Sequence, residues 1–337
     1  MNLLVTGGCG FIGSHFVRDW LERHGDDRVV NLDALTYSGN LANLEDVADS
    51  PRYCFVRGSI DDRPLVERLC DESAIEAIVN FAAHTHVDRS ILDATPFVET
   101  NVRGAQVLLD VMRTRGIGRF VHVSTDEVYG ALGPDDPPTT EDAALAPNSP
   151  YAASKAAADL LVRAYCKTYG LPAIITRCSN NYGPYQFPEK LIPLMAINAM
   201  SDTPLPVYGD GRQVRDWIHV LDHCAAIDAV LRKGRVGEIY NIGAVNERPN
   251  IEIVERILDH LGKPRSLIEH VKDRPAHDRR YALDASKIRT ELGWAPQRDF
   301  SAGLAETIDW YAANESWWRA VMTGEYRDYY ETWYGKR

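Results

Sequence analysis

Residues 2–13 read NLLVTGGCGFIG, and how that stretch is parsed decides the fold. NLLVT is a short apolar run of the kind found in a strand covered on both faces. Glycines then crowd the turn, and SHFVRDWLERHG (14–25) follows with helical periodicity. Strand, glycine-rich turn and helix together form the phosphate-binding start of a dinucleotide fold. Bare backbone N–H groups reach a pyrophosphate there, and the helix N-terminus favours the anion. The next apolar run, RVVNLD (28–33), ends at Asp33, twenty residues after Gly13. An acid at that place accepts hydrogen bonds from the adenine ribose and repels a 2′-phosphate, so NAD is expected rather than NADP.

The alternation continues outward. YCFVRGSI (53–60) reads as a strand, Asp61 and Asp62 open a helix with Asp62 as its cap, and Gly58 to Asp61 should flank the adenine. AIVNFAA (77–83) is a near-continuous apolar strand whose small end, Phe81-Ala82-Ala83-His84-Thr85, should lie against the cofactor. A long helix is expected over 96–115, carrying Thr100 and Asn101 in its first half. RFVHVST (119–125) and AIITRCSN (173–180) complete the series. Such alternation predicts an α/β fold of Rossmann type, a doubly wound parallel sheet with right-handed crossovers. From Asn180 the chain turns rich in Pro, Gly and Tyr (NNYGPYQFPEKLIP), and the rhythm breaks. We therefore expect an NAD-binding Rossmann domain over 1–178, joined by a returning strand near 238–243 (EIYNIG). A smaller α/β substrate domain would occupy 179–337, with helices at 191–200, 221–232, 250–262 and 301–321. The aromatic residues from Trp310 to Tyr334 read as packing.

Composition narrows the function classes. Apolar residues make up 45% and charged residues 25%, an ordinary globular balance. A net charge of -11 argues against a general nucleic-acid or membrane-surface binder. No secretory signal and no apolar run of membrane-spanning length is found. The six cysteines lack a C-x-x-C pair, which fits reduced thiols in the cytoplasm better than disulfides, and the ten histidines lack metal-ligand spacing.

Two stretches carry chemistry. In HVSTDEVYG (122–130), Asp126 and Glu127 stand at the carboxyl end of a central strand, where open α/β sheets place ligands. Successive residues of a straight strand face opposite ways, so the backbone must bend after Thr125 if both acids are to serve one ligand. In NSPYAASK (148–155), Ser149 suits the N-cap and Pro150 the first helical position of a helix ending at Gly170. Tyr151 and Lys155 then share a face. A free phenol titrates near ~10, and an adjacent ammonium favours its ionised form. Lys190, Arg215, Arg274, Arg279 and Arg280 form a basic set, readable as surface ion pairs or as a diphosphate clamp.

These motifs resemble the extended short-chain dehydrogenase/reductases and, among them, the dTDP-glucose 4,6-dehydratases. The resemblance spans nearly the whole chain. TGGCGFIG (6–13) and Tyr151-x-x-x-Lys155 carry the broad likeness. STDEVYG (124–130), HVDRS (86–90), SNNYGPYQFPEKLIP (179–193), LPVYGDGRQVRDWIHV (205–220) and DRPAHDRRYALD (273–284) carry the narrower one. His84 is a departure, since that family usually has an acid there.

The resemblance implies a cytoplasmic lyase that converts dTDP-glucose to dTDP-4-keto-6-deoxyglucose with bound NAD. Tyr151, held by Lys155 and assisted by Thr125, would take the C4 hydroxyl proton as C4 is oxidised. Glu127 would remove the C5 proton and Asp126 protonate the departing C6 hydroxyl. C6 reduction and C5 reprotonation would follow. By the same resemblance, NAD would be held by Gly7, Gly10, Phe11, Ile12, Gly13, Asp33, Ala34, Leu35, Thr36, Ser59, Ile60, Phe81, Ala82, Ala83, Thr85, Thr100, Tyr151, Lys155 and Asn181. The nucleotide sugar would meet Thr85, Thr125, Asn180, Lys190, Leu191, Pro206, Tyr208, Arg215, Asn250, Arg274 and His277. No metal, nucleic acid or membrane partner is implied. A homodimer is, through a four-helix bundle of the helices at 96–115 and 151–169. The alternative is another epimerase, decarboxylase or dehydratase acting on a nucleotide sugar. A silent NAD-binding scaffold fits the intact Thr125, Tyr151 and Lys155 poorly.

Overall fold

In the computed structural model, which describes residues 1–322, the strands in chain order begin with β1 (Asn2–Thr6), β2 (Arg28–Asp33), β3 (Tyr53–Arg57) and β4 (Ala77–Asn80). Then come β5 (Arg119–Thr125), β6 (Ala173–Cys178), β7 (Asn180–Tyr182) and β8 (Leu205–Tyr208). The last are β9 (Val214–His219), β10 (Ile239–Ile242), β11 (Glu247–Pro249) and β12 (Ile268–Val271). Seven of them make one parallel sheet in the order β10-β6-β5-β4-β1-β2-β3. The order reverses between β1 and β4. The carboxyl ends of β1, β4 and β5 therefore open onto one crevice, where such sheets take ligands. β10 is the returning strand, paired to β6 from Ile239↔Ile175 to Ile242↔Cys178.

Apolar residues on both faces explain why the sheet is covered twice. One face buries Phe16, Val17 and Trp20 of the helix Phe11–Arg23, with Ile227, Val230 and Leu231 of Val220–Lys233. The other buries Leu69 of Arg63–Glu72, Leu108 and Met112 of Ala105–Arg115, and Val162 of Pro150–Tyr169. Each such side chain stabilises by roughly 1.5–3 kcal/mol. A separate core of Ile192, Leu194, Trp217, Ile253, Ile257, Leu304 and Ile308 lies under the second half of the chain. There β11-β9-β7 and β12-β8 form two small sheets.

Three expectations need correction. The helix expected over 96–115 is not uniform: Thr95–Phe97 and Ala105–Arg115 flank a wider π-helical stretch, Val98–Gly104. There Asn101 bonds the His84 backbone on both sides (2.9 and 3.0 Å) and Ser154 Oγ (2.8 Å), while Gly104 passes Ile60 where a Cβ would sit 2.5 Å from its side chain. Widened turns of this kind collect at functional sites. The 301–321 helix is two, Phe300–Ala313 and Glu315–Val321, interrupted at Asn314, whose side chain bonds the Trp310 carbonyl. Finally, β3 and β4 stop at Arg57 and Asn80, short of the expected 60 and 83. The residues beyond them are free to line the crevice. Trp310, Trp317 and Trp318 pack as expected, Trp310 with Tyr185 at 4.6 Å; the tyrosines beyond Met322 lie outside the described residues. Among the described residues no helix is long and apolar enough to cross a membrane, and no cluster of metal-ligating side chains occurs.

Asp216 ties the two halves. Buried on β9, its carboxylate accepts from the Ala244 and Asn246 N–H groups (3.0 and 2.7 Å), just past β10 of the large sheet. Asp216→Ala would leave both donors without a partner, and we expect it to cost about 2–4 kcal/mol in urea denaturation. A loss under ~0.5 kcal/mol, the range of an ordinary surface change, would contradict this role.

Candidate active site

A cavity of ~300 Å³ opens at the crevice. Its floor is the β1 turn. Gly7 has φ +71°, and a Cβ on it would meet the Ala82 backbone nitrogen at 2.6 Å. A Cβ on Gly13 would stand 2.3 Å from the Gly7 carbonyl oxygen. Only hydrogen fits at either place, so bare backbone borders the cavity at the helix N-terminus. Asp33 lies beside it, Oδ2 accepting from Cys9 N (2.9 Å) and Oδ1 from Leu35 N (2.8 Å). Each oxygen keeps a lone pair for a further donor. Burial raises its pKa, and those two N–H groups oppose the rise.

The same cavity is walled by every residue expected to hold the cofactor except Leu35. Leu35, at φ +52°, contributes its N–H to Asp33 instead. The wall thus combines the features expected of a dinucleotide cradle: bare glycine backbone, a buried acid at Asp33, and Thr100, Tyr151 and Lys155 farther along.

β5 ends in the expected bend. After Thr125 the chain enters a 3₁₀ turn, Asp126–Tyr129, with Thr125 capping it through a 3.4 Å bond from Glu127 N. Both acids consequently reach the cavity wall. Asp126 is 4% exposed, and its Oδ2 has no hydrogen-bond partner. Burial, then the Glu127 charge, pushes its pKa up to about 8. Burial also raises Glu127, but Arg274, Arg215 and Lys190 oppose that rise. Burial thus raises the proton affinity of both adjacent carboxyls, with three nearby cations opposing the rise at Glu127.

The helix Pro150–Tyr169 starts as expected, Ser149 Oγ accepting from Ala152 N at 3.1 Å. Tyr151 hydrogen-bonds Thr125, which lowers its pKa; burial and the Glu127 charge outweigh that and hold the phenol well above its usual value. The expected lowering by Lys155 is not seen in this structure. The ammonium donates instead to the Val123 carbonyl at 2.7 Å, and burial brings it down to about 8.

Of the residues expected on the nucleotide sugar, Thr85, Thr125, Asn180 and Lys190 line the cavity, and Lys190 Nζ donates to Thr85 O (3.1 Å). Leu191, Pro206, Tyr208, Arg215, Asn250, Arg274 and His277 lie outside its wall. Tyr208 and Arg274 meet at Asp88 (2.9 and 3.2 Å). Arg215 stacks over Tyr281 at 4.3 Å and donates to the Asp278 carbonyl. His277 pairs with Asp273, and burial lowers it to about 4. Asn250 Oδ1 is buried without a partner, whereas Leu191 packs in the second core and Pro206 sits on β8. The basic set divides. Lys190, Arg215 and Arg274 act on Glu127, but Arg279 pairs with Asp210 (2.8 Å) and Arg280 with Glu247 (2.6 Å) near the surface. Sequence reading missed Asp88 and the Arg89–Glu189 pair (3.0 Å), although HVDRS and PEK were in view. It also missed Ser124, Cys178 and Ser179 on the wall. His84 lines the cavity, its ring 6.1 Å from Tyr37 and 5.5 Å from Phe97.

Comparison with known proteins agrees with this arrangement. Residues 4–307 match the family described as GDP-mannose 4,6 dehydratase. A dTDP-glucose 4,6-dehydratase of Xanthomonas campestris is 54% identical, over 96% of this chain and 97% of its own. Its Shigella flexneri counterpart is 48% identical over the full length of both. The solved dTDP-glucose 4,6-dehydratase of Streptomyces venezuelae, with NAD and dTDP bound, superposes with a TM-score of 0.93. It is 54% identical, covering 95% of this chain and 100% of that one.

The proton affinity of Asp126 sets a sign. A carboxyl whose folded value rises from 3.8 to about 8 binds an extra proton in the folded state across that window, so its contribution to stability falls as pH rises through it. Asn at this position does not titrate. Asp126→Asn should therefore gain on the wild type as urea melts are moved from about pH 4 to pH 8. A stability difference independent of pH would contradict the burial of this carboxyl.

Proposed function

Because the chain belongs to the GDP-mannose 4,6 dehydratase family, and within it to the dTDP-glucose 4,6-dehydratases, we propose that it removes water from dTDP-glucose to give dTDP-4-keto-6-deoxyglucose. It is an NAD-dependent hydro-lyase. The observation that carries the reading is the bend at Thr125. It sets Asp126, a carboxyl that burial keeps protonated, beside Glu127, whose rise Arg274, Arg215 and Lys190 oppose, next to Tyr151.

The glycine turn, Asp33 and the wall from Phe81 to Ala83 would hold NAD, and Tyr151, Lys155 and Asn181 would border its reactive end. Bound NAD supplies the hydride acceptor for C4 oxidation and the hydride donor for C6 reduction. The chain's own part is proton handling. Tyr151, bonded to Thr125, takes the C4 hydroxyl proton as its phenolate, the form that the positive charge of bound oxidised NAD would favour against burial. The resulting ketone acidifies C5, and Glu127 removes that proton. Asp126 protonates the C6 hydroxyl as it leaves as water, and Glu127 returns a proton to C5. General acid and base steps of this kind contribute roughly 10²–10⁴-fold each. The substrate glucosyl unit would meet Thr85, Thr125, Asn180 and Lys190. The diphosphate and base would meet Arg215, Arg274, Tyr208, His277 and Asn250, with Leu191 and Pro206 beside them.

On this reading, residues 1–178 with β10 carry NAD and residues 179–337 carry the nucleotide. Two copies would pair through the helices at 95–115 and Pro150–Tyr169; exposed Val98 and Leu160 on them support that bundle. Six free cysteines fit a cytoplasmic location.

Incubation with dTDP-glucose should give a product lighter by one water, read by mass spectrometry. In Glu127→Gln, bound NAD should still be reduced while the C5 hydrogen no longer exchanges with solvent. Unchanged mass, as an epimerase gives, or full exchange in the variant would overturn the assignment.

A further inference from the structure

Behind Tyr151 and Lys155 lies a buried charge cluster to which the reaction above assigns no task. Asp159 follows Lys155 by one helical turn and so shares its face; it is 1% exposed. Its Oδ2 accepts from Arg177 Nε on β6 at 2.8 Å. Its Oδ1 stands 3.8 Å from His122 Nε2 on β5 and has no hydrogen-bond partner. The Ser124 hydroxyl faces it as well. Arg177 in turn stacks over the Tyr129 ring at 4.6 Å. Two cations, Lys155 and Arg177, are therefore buried near one carboxyl; burial raises its proton affinity, and Arg177 and then Lys155 oppose that rise. The other titratable neighbours supply no charge: burial drives His122 well below its usual value and Cys178 up to about 12. Among the described residues, Lys155 itself donates to a neutral carbonyl, that of Val123.

We propose that Asp159 is a positioning residue for the proton transfer at Tyr151, a counter-charge shared by Lys155 and Arg177 that keeps the Lys155 ammonium protonated and seated on the Val123 carbonyl. This rests on the reading in which Tyr151 takes the C4 hydroxyl proton. Burial of an ammonium without an anion favours its neutral form. In this protein burial takes Lys155 down to about 8, and Asp159 is the largest influence acting the other way. Arg177 draws on the same carboxylate, so the share left for Lys155 is adjustable from either side.

The experiment compares wild type, Asp159→Asn and Arg177→Met with dTDP-glucose across the alkaline range. Asp159→Asn should lower kcat by ~10²-fold, as losing one general acid–base contribution does, with little change in KM. The alkaline limb of its kcat profile should move down by about one pH unit, since an opposite charge nearby shifts a group by ~1–3 units. Arg177→Met, which leaves Asp159 wholly to Lys155, should move the limb up. A readout without substrate is urea stability. A lysine whose folded value lies below its free value gains stability as pH rises between the two. A further lowering in Asp159→Asn makes that gain begin earlier, so the variant's deficit should shrink as pH rises toward the wild-type value of about 8. Because Asp159's own raised titration also shrinks it, the part belonging to Lys155 is the part that vanishes when the same change is made in Lys155→Met. Equal alkaline limbs in all three proteins, or a deficit flat with pH, would make Asp159 a structural ion pair only and overturn the proposal. If Asp159→Asn does not fold, an Arg177→Met limb at or below the wild-type one does the same. A wild type that forms no 4-keto product overturns the underlying reading instead.

Discussion

The site depends on one constraint: two neighbouring carboxyls, Asp126 buried and Glu127 part-buried, stand at the tip of a central strand. Burying ionised groups is costly unless they are paired or take up protons. Asp126 takes the second course; Glu127 is raised by burial as well, but Arg274, Arg215 and Lys190 oppose that rise. Neither arrangement exists without the 3₁₀ turn after Thr125, because an extended strand would send one acid to the far face of the sheet. The bend, the parallel strand beneath it and the second core that brings the arginines round are thus parts of one device. Asp216, which binds β9 to the chain beyond β10, keeps those parts in register.

The large sheet was largely legible in the sequence. β1 and β2 fall where the apolar runs and glycines place them, since strands covered on both faces advertise themselves as continuous apolar runs. The helix Pro150–Tyr169 was legible from its cap, its proline and Gly170. The bend at Thr125 followed from requiring two adjacent acids to serve one ligand.

What the sequence hid depends on tertiary approach. The π-helical stretch at Val98–Gly104 is set by Asn101 reaching the His84 backbone and by Gly104 passing Ile60, contacts with no local signature. The basic residues near 280 looked alike in the sequence, yet Arg274 turns inward to Asp88 while Arg279 and Arg280 turn out to surface acids. Charge spacing along a loop says nothing about which side chain finds the interior. The proton affinity of Tyr151 was also misjudged. Helix spacing places Lys155 on its face, but the ammonium bonds the Val123 carbonyl and leaves the phenol under burial and a carboxylate.

Because the glycine turn, Asp33, both acids and Tyr151 line one cavity, the proposed reaction has oxidation and reduction occur in one pocket without exchange of the hydride. The most direct measurement uses dTDP-glucose carrying deuterium at C4, converted in ordinary water. The account predicts that the label is recovered in the C6 methyl group of the 4-keto product. Recovery of an unlabelled methyl group, with the deuterium released to the medium, would contradict it.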